Sequence, residues 1–213
     1  MIDPVRLAAY VASRICHDAI SPASSVKNAL DMLDEPGDEE MRPIYEKHLR
    51  ESAHKTAASI QYFRYAFGSA GLYTGAADLH MFKNISEEYL AGLKPSVEWD
   101  IQTEHLSWSH ARLLMNMLMM GVDCLPRGGV VNVRVRDEAA GMTITLTCTG
   151  QRAKLKDEMA AIVKGETPED NFGPENIQPK FAIMVCNELN GEMSASQGDE
   201  KVILMAAGVR ATG

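Results

Sequence analysis

Arg14-Ile15-Cys16-His17-Asp18-Ala19-Ile20-Ser21-Pro22 sets a carboxylate directly after a histidine, with a hydroxyl and then a proline closing the stretch. Around it the apolar positions run Leu7, Val11, Ile15, Ala19, Val26, Leu30 and Leu33. These steps are sums of threes and fours, so one face of a long helix is buried. His17 falls between Ile15 and Ala19 and is turned off that face, toward solvent or a partner. Asp18 can orient one ring nitrogen or accept its proton, which leaves the other nitrogen as a nucleophile. Ser21 lies one turn further along the His17 side. Pro22 has no N–H and predicts a kink just beyond the histidine. The alternative is an ordinary surface histidine; the acid, hydroxyl and proline at these offsets weigh against it.

Length and composition bound the rest. The 213 residues suffice for one large or two small domains, and 46% hydrophobic with 23% charged residues is a globular balance. A net charge of −8 and the absence of a Lys/Arg cluster argue against a nucleic-acid partner. Cys16, Cys124, Cys148 and Cys186 are far apart and read as small packing side chains rather than ligands or crosslinks. No signal peptide is visible, and the apolar stretch Leu113 to Leu125 is too short for a membrane span and carries Asn116 and Asp123. The expectation is a cytoplasmic protein that does not engage a membrane.

In chain order, Asp3-Pro4 reads as a helix cap followed by proline in the first turn, and the first helix runs to about Leu33. Residues 34–38 are a turn. A second helix starts near Glu39 and runs to about Phe67, with Tyr45, Leu49, Ser52, Thr56, Ile60, Phe63 and Phe67 on one face. A hairpin of two long helices cannot bury both stripes alone. Two copies packed as a four-helix bundle can, which predicts a homodimer; the alternative is a hairpin folded back on the C-terminal half. Glycines from Gly68 to Gly75 mark a boundary, giving a helical-hairpin domain over 1–70 and an α/β domain over 71–213. The second domain reads as a helix from Ala76 to Leu90, a strand from Ser96 to Ile101, an apolar helix from Ser107 to Leu125, and strands from Val130 to Arg136 and Met142 to Cys148. Helices from Ala153 to Lys164 and Pro179 to Leu189 follow, and a hairpin of Glu192 to Ala195 with Lys201 to Ala206 closes the chain. The fold class is therefore α+β, with helices layered on one face of a mixed sheet.

His17-Asp18-Ala19-Ile20-Ser21-Pro22 resembles the H-box of two-component histidine kinases, His-(Glu/Asp)-x-x-(Thr/Ser/Asn)-Pro. The second domain resembles the ATP-binding domain of those kinases in element order. Its nucleotide motifs are damaged at three places. Asn116 stands at the first asparagine of the N-box, but Met120 replaces the second, which helps hold Mg²⁺ in that family. Cys148 replaces the aspartate that contacts adenine, and Arg152 a glycine of the same motif. Asn176-Ile177-Gln178-Pro179 has none of the glycines of the phosphate-cradling loop.

A kinase-like phosphoacceptor hairpin joined to an ATP domain without its nucleotide site resembles the ChpT family of dimeric histidine phosphotransferases, which serve alphaproteobacterial phosphorelays. The resemblance implies that His17 takes a phosphoryl group from the receiver aspartate of a hybrid histidine kinase and passes it to a response-regulator receiver. Asp18 and Ser21 assist it, and Ile20, Pro22, Ser24 and Asn28 form the docking face. It implies no cofactor of the protein's own, with Mg²⁺ supplied by the receiver. The rival readings are an ATP-dependent sensor kinase core and a non-catalytic dimeric adaptor. Metal binding by His48 with His54, or His105 with His110, is disfavoured because neither pair aligns on one helical face.

Overall fold

Asp3 starts the first helix. Its carboxylate accepts hydrogen bonds from the backbone N–H groups of Val5 and Arg6, each at 3.0 Å, and Pro4 sits in the first turn, where no donor is needed. This computed structural model describes residues 2–35, 39–72 and 75–210; Pro36, Gly37 and Asp38 of the expected turn lie outside them. Helix α1 spans Pro4–Asp34 and is continuous through Pro22. The missing N–H costs one hydrogen bond, to the Asp18 carbonyl, and does not end the helix.

Helix α2 spans Arg42–Ala66, starting later than expected at Glu39. Pro43 explains the shift, because proline fits a helix in its first turn and not further in. The two helices pack along each other. Leu7, Val11, Ile15, Ala19, Val26 and Leu33 are half-buried as expected, but Leu30 is 45% exposed and its neighbour Ala29 takes the inner position. On α2, Ile60 is 56% exposed while Ser59 and Tyr62 turn inward. Threes and fours both satisfy a helical period, so periodicity alone cannot choose between adjacent residues.

Helix α3 (Leu79–Leu90) is capped by Asp78, whose carboxylate accepts from the Met81 N–H at 3.0 Å. Strand β1 (Pro95–Gln102) follows, then helix α4 (Trp108–Asp123), strands β2 (Gly129–Glu138) and β3 (Gly141–Thr149), helices α5 (Asp157–Lys164) and α6 (Ile177–Glu188), and strands β4 (Glu192–Gly198) and β5 (Lys201–Val209). The sheet order is β1-β2-β3-β5-β4, parallel between β1 and β2 and antiparallel elsewhere. Helix α4 supplies the crossover that a parallel pair requires. Alternate strand residues face the helices: Val131, Val133 and Val135, then Ile144, Leu146 and Cys148, then Val202, Leu204 and Ala206, all buried. The opposite face carries Arg134, Thr145 and Met205.

Helix α5 begins at Asp157 rather than Ala153. Ala153 and Leu155 are instead buried in the preceding loop, where Gln197 accepts from the Leu155 N–H at 2.7 Å and donates to the Ala153 carbonyl at 3.2 Å. Helix α6 begins two residues before Pro179, which again occupies a first turn.

The hairpin also folds onto the α/β half. Tyr62, Phe63, Tyr65 and Ala66 belong to the same apolar core as α4. Tyr62 stacks on Tyr89 of α3 with ring centroids 4.1 Å apart, and Tyr65 on Trp108 at 5.1 Å. At the other end, Leu7, Tyr10 and Val11 of α1 pack against Ile162, Phe172 and Ile177.

Candidate functional site

His17 projects from the middle of α1 with 82% of its side chain exposed. Asp18 is only 20% exposed. Its Oδ1 lies 3.0 Å from His17 Nδ1, and its Oδ2 accepts from Arg14 Nε at 2.7 Å. A carboxylate can only accept, so the contact favours the ring tautomer protonated at Nδ1, with the lone pair on Nε2. Both sequence options for Asp18, orienting a ring nitrogen or accepting its proton, use this one contact.

Ser21 is exposed one turn on, and its carbonyl accepts from Ser25 Oγ at 3.2 Å. Ile20, Ser24 and Asn28 are all exposed, Ile20 at 62%, and Pro22 is half-buried. Ile20, Ser24 and Asn28 follow His17 by three, seven and eleven residues and so share its side of the helix.

Beside the histidine a cleft of about 440 Å³ opens between α1, α2, α3 and α4. His17, Asp18, Ser21 and Pro22 line it together with Arg14, Lys55, Tyr89 and Asp123. These last four were not singled out from the sequence. The step of four from Arg14 to Asp18 is a legible helical ion pair; the approach of Lys55, Tyr89 and Asp123 depends on tertiary packing. Burial is the main influence on Asp123 and pushes its carboxyl up, aided by Asp18 and opposed by Lys156 and Arg14. Among the described residues, no group of three or more His, Cys, Asp or Glu side chains is placed to hold a metal ion.

Of the residues at the kinase nucleotide positions, Asn116, Met120, Cys148 and Gln178 are buried in the core and Arg152 is exposed. Asn116 is fully buried, and its amide donates to the carbonyls of Ala66 at 2.8 Å and Arg112 at 2.9 Å. Gln178, also buried, donates to the Asn116 carbonyl at 2.7 Å. Asn116 therefore ties α4 to the end of α2 and to α6, in place of the ligand-facing role its position suggests. Met120 and Cys148 are fully buried, and burial pushes the Cys148 thiol up to about 12. Gly121 lies against that thiol: a Cβ there would stand 3.0 Å from Cys148 Sγ. Arg152 has φ of 61°, a left-handed conformation that glycine adopts without strain.

An exposed histidine on a helical hairpin, oriented by a carboxylate and backed by an α/β layer, fits phosphoryl transfer through a histidine. The model of the histidine phosphotransferase C-terminal domain matches residues 79–201, more than half of the chain, and the chain belongs to that family. It is a phosphotransferase of the ChpT type. Over 201 residues it is 29% identical to the protein phosphotransferase ChpT of Brucella abortus (strain 2308), covering 94% of each chain. It is also similar to a bacterial phosphotransferase solved at 1.7 Å, with 28% identity, a TM-score of 0.85, and coverage of 97% of this chain and 98% of that one. The family match runs from α3 into β5 and leaves His17 outside it, whereas the likeness to these two proteins extends through the hairpin.

Proposed function

We propose that this protein is the histidine carrier of a phosphorelay. The observation that carries the reading is the Asp18–Nδ1 contact, which turns Nε2 outward as a free nucleophile. In the first transfer, Nε2 attacks the phosphorus of an aspartyl phosphate on the receiver of a hybrid histidine kinase. The P–N bond forms, the bond from phosphorus to the aspartate oxygen breaks, and the carboxylate leaves with its electron pair. The second transfer is the reverse, onto the aspartate of a response regulator. The transfer asks mainly for alignment and charge stabilisation. Mg²⁺ arrives with the receiver domain, and the histidine protein contributes no cofactor.

The receiver docks over His17 on Ile20, Ser24 and Asn28, with Ser21 and Pro22 shaping the edge near the cleft. The working form is a homodimer. Exposed Leu30, Met32, Ile44 and Ile60 on the hairpin are apolar surface that a second copy would cover. No helix among the described residues is long and apolar enough to cross a membrane, in keeping with a carrier that works in the cytoplasm beside its partners.

The test supplies labelled phosphate by two routes, ATP with Mg²⁺ and a panel of phosphorylated receiver domains, to the wild type and to His17→Ala. Label from a receiver alone, absent in the variant, is the expected result. Label from ATP would make the protein a kinase. Receiver binding without transfer, unchanged in His17→Ala, would make it an adaptor.

A further inference from the structure

Arg14 joins the phosphoacceptor to the other half of the molecule. Its side chain is 20% exposed, the same as that of Asp18. One arm, Nε, donates to Asp18 Oδ2 at 2.7 Å, and another, Nη1, donates to the Glu175 carbonyl at 3.3 Å. Glu175 lies just ahead of α6, on the α/β half. The opposite oxygen of Asp18 meets His17 Nδ1 at 3.0 Å. A continuous line of polar contacts thus runs from the backbone before α6, through a guanidinium and a carboxylate, to the imidazole.

The chemistry suits a fixed support. An exposed aspartate beside a histidine on a helix surface is free to change rotamer, and its hold on the ring is correspondingly weak. A planar guanidinium tied at both ends loses that freedom and presents its N–H groups in a set direction. Asp123 lines the same cleft and adds negative charge near the guanidinium.

We propose that Arg14 is a positioning residue: it transmits the placement of the α/β half to Asp18 and thereby keeps the His17 proton on Nδ1 and the Nε2 lone pair free. The inference rests on His17 being the phosphoacceptor. It gives the α/β half a part in phosphoryl transfer that requires no nucleotide.

The experiment is ¹⁵N NMR of the His17 ring in the full-length chain, for the wild type, Arg14→Gln, Arg14→Lys and Asp18→Asn. Single-turnover uptake from a phosphorylated receiver is measured beside it. In the wild type the neutral ring carries its proton mainly on Nδ1. Arg14→Gln moves that population toward Nε2, as Asp18→Asn does, and slows uptake by about tenfold, roughly the worth of one charge-assisted hydrogen bond. Lysine keeps the charge but has no fork, so Arg14→Lys is intermediate in both readouts. Wild-type ring signals and rate in Arg14→Gln, with Asp18→Asn shifted, would overturn the proposal, because losing a merely stabilising ion pair lowers the melting temperature without moving the ring proton. Should the glutamine variant fail to fold, the lysine variant decides: wild-type signals and rate overturn the inference, and intermediate values support it. Failure of every receiver to phosphorylate the wild type would sink the carrier reading, while the ring spectra would still report on Arg14.

Discussion

The Tyr62 hydroxyl donates a 2.6 Å hydrogen bond to the Met115 carbonyl, both groups lying inside the core. The bond crosses from α2 to α4, so the end of the hairpin is fastened to the buried helix of the α/β half. Removing the hydroxyl in Tyr62→Phe leaves the ring stack on Tyr89 but strips the Tyr62 donor from the Met115 carbonyl. The expected cost is about 1–2 kcal/mol of stability in a urea titration. Phosphoryl uptake per folded molecule should stay at the wild-type level.

Ile20 offers a large apolar side chain, 62% exposed, one turn from His17. If a receiver covers it, Ile20→Glu places a charge in that interface and weakens receiver binding about thirtyfold or more, a hot-spot-sized effect. The saturating single-turnover rate should change little, because the ring and Asp18 are untouched. Equal receiver affinities by titration calorimetry would exclude Ile20 from the docking face.

The cysteines make a chemical test of the core. Cys16 is exposed on α1, whereas Cys124, Cys148 and Cys186 are buried. Burial pushes their thiols up to about 12, 12 and 11, leaving them protonated and inaccessible at neutral pH. A thiol reagent should therefore label Cys16 alone in the native protein and all four cysteines in denaturant, as read by mass spectrometry. Rapid native labelling of Cys148 would contradict its place beneath Gly121.

Asp123 gives a signed dependence on pH. Burial raises its carboxyl above the ordinary value in the folded state. Between those two values the native chain holds more protons than the unfolded one, so stability falls as pH rises through that window. Asp123→Asn removes this penalty. The variant should melt higher than wild type at neutral pH, and the advantage should vanish in acid, below the ordinary carboxylate range. Parallel melting curves across that range would show that Lys156 and Arg14 already offset the burial.

Much of this molecule was legible in its residues. The cap at Asp3, the α1 face from Leu7 to Val26 and the alternation in β2 are local patterns, set by neighbours within one turn or one strand. The position of His17 off the apolar face was equally local. Helix starts differ from the sequence expectation where a proline belongs to the first turn: a start near Glu39 sets Pro43 too deep in α2, and a start at Pro179 sets that proline at the edge of α6, whereas the helices begin at Arg42 and Ile177. The loop at Ala153 and Leu155 passes for helix in the sequence, but its backbone is held by hydrogen bonds to Gln197, more than 40 residues away, while its apolar side chains join the core. Asp123, Tyr89 and Lys55 line the cleft beside the histidine through the packing of four helices, and no spacing in the chain encodes that meeting.

The inward turn of Asn116 bears on how such a domain could change its trade. Its side-chain amide rivets α4 to the tail of α2 through the Ala66 carbonyl, while its main-chain carbonyl separately takes the Gln178 amide at the head of α6. Restoring a glycine loop or an adenine-binding carboxylate would leave that rivet in place, and freeing the asparagine for a ligand would loosen the seam between the two halves. Gain of nucleotide affinity and loss of cohesion are thus tied to one side chain. Freeing that side chain for a ligand therefore has to come with a new donor for the Ala66 carbonyl.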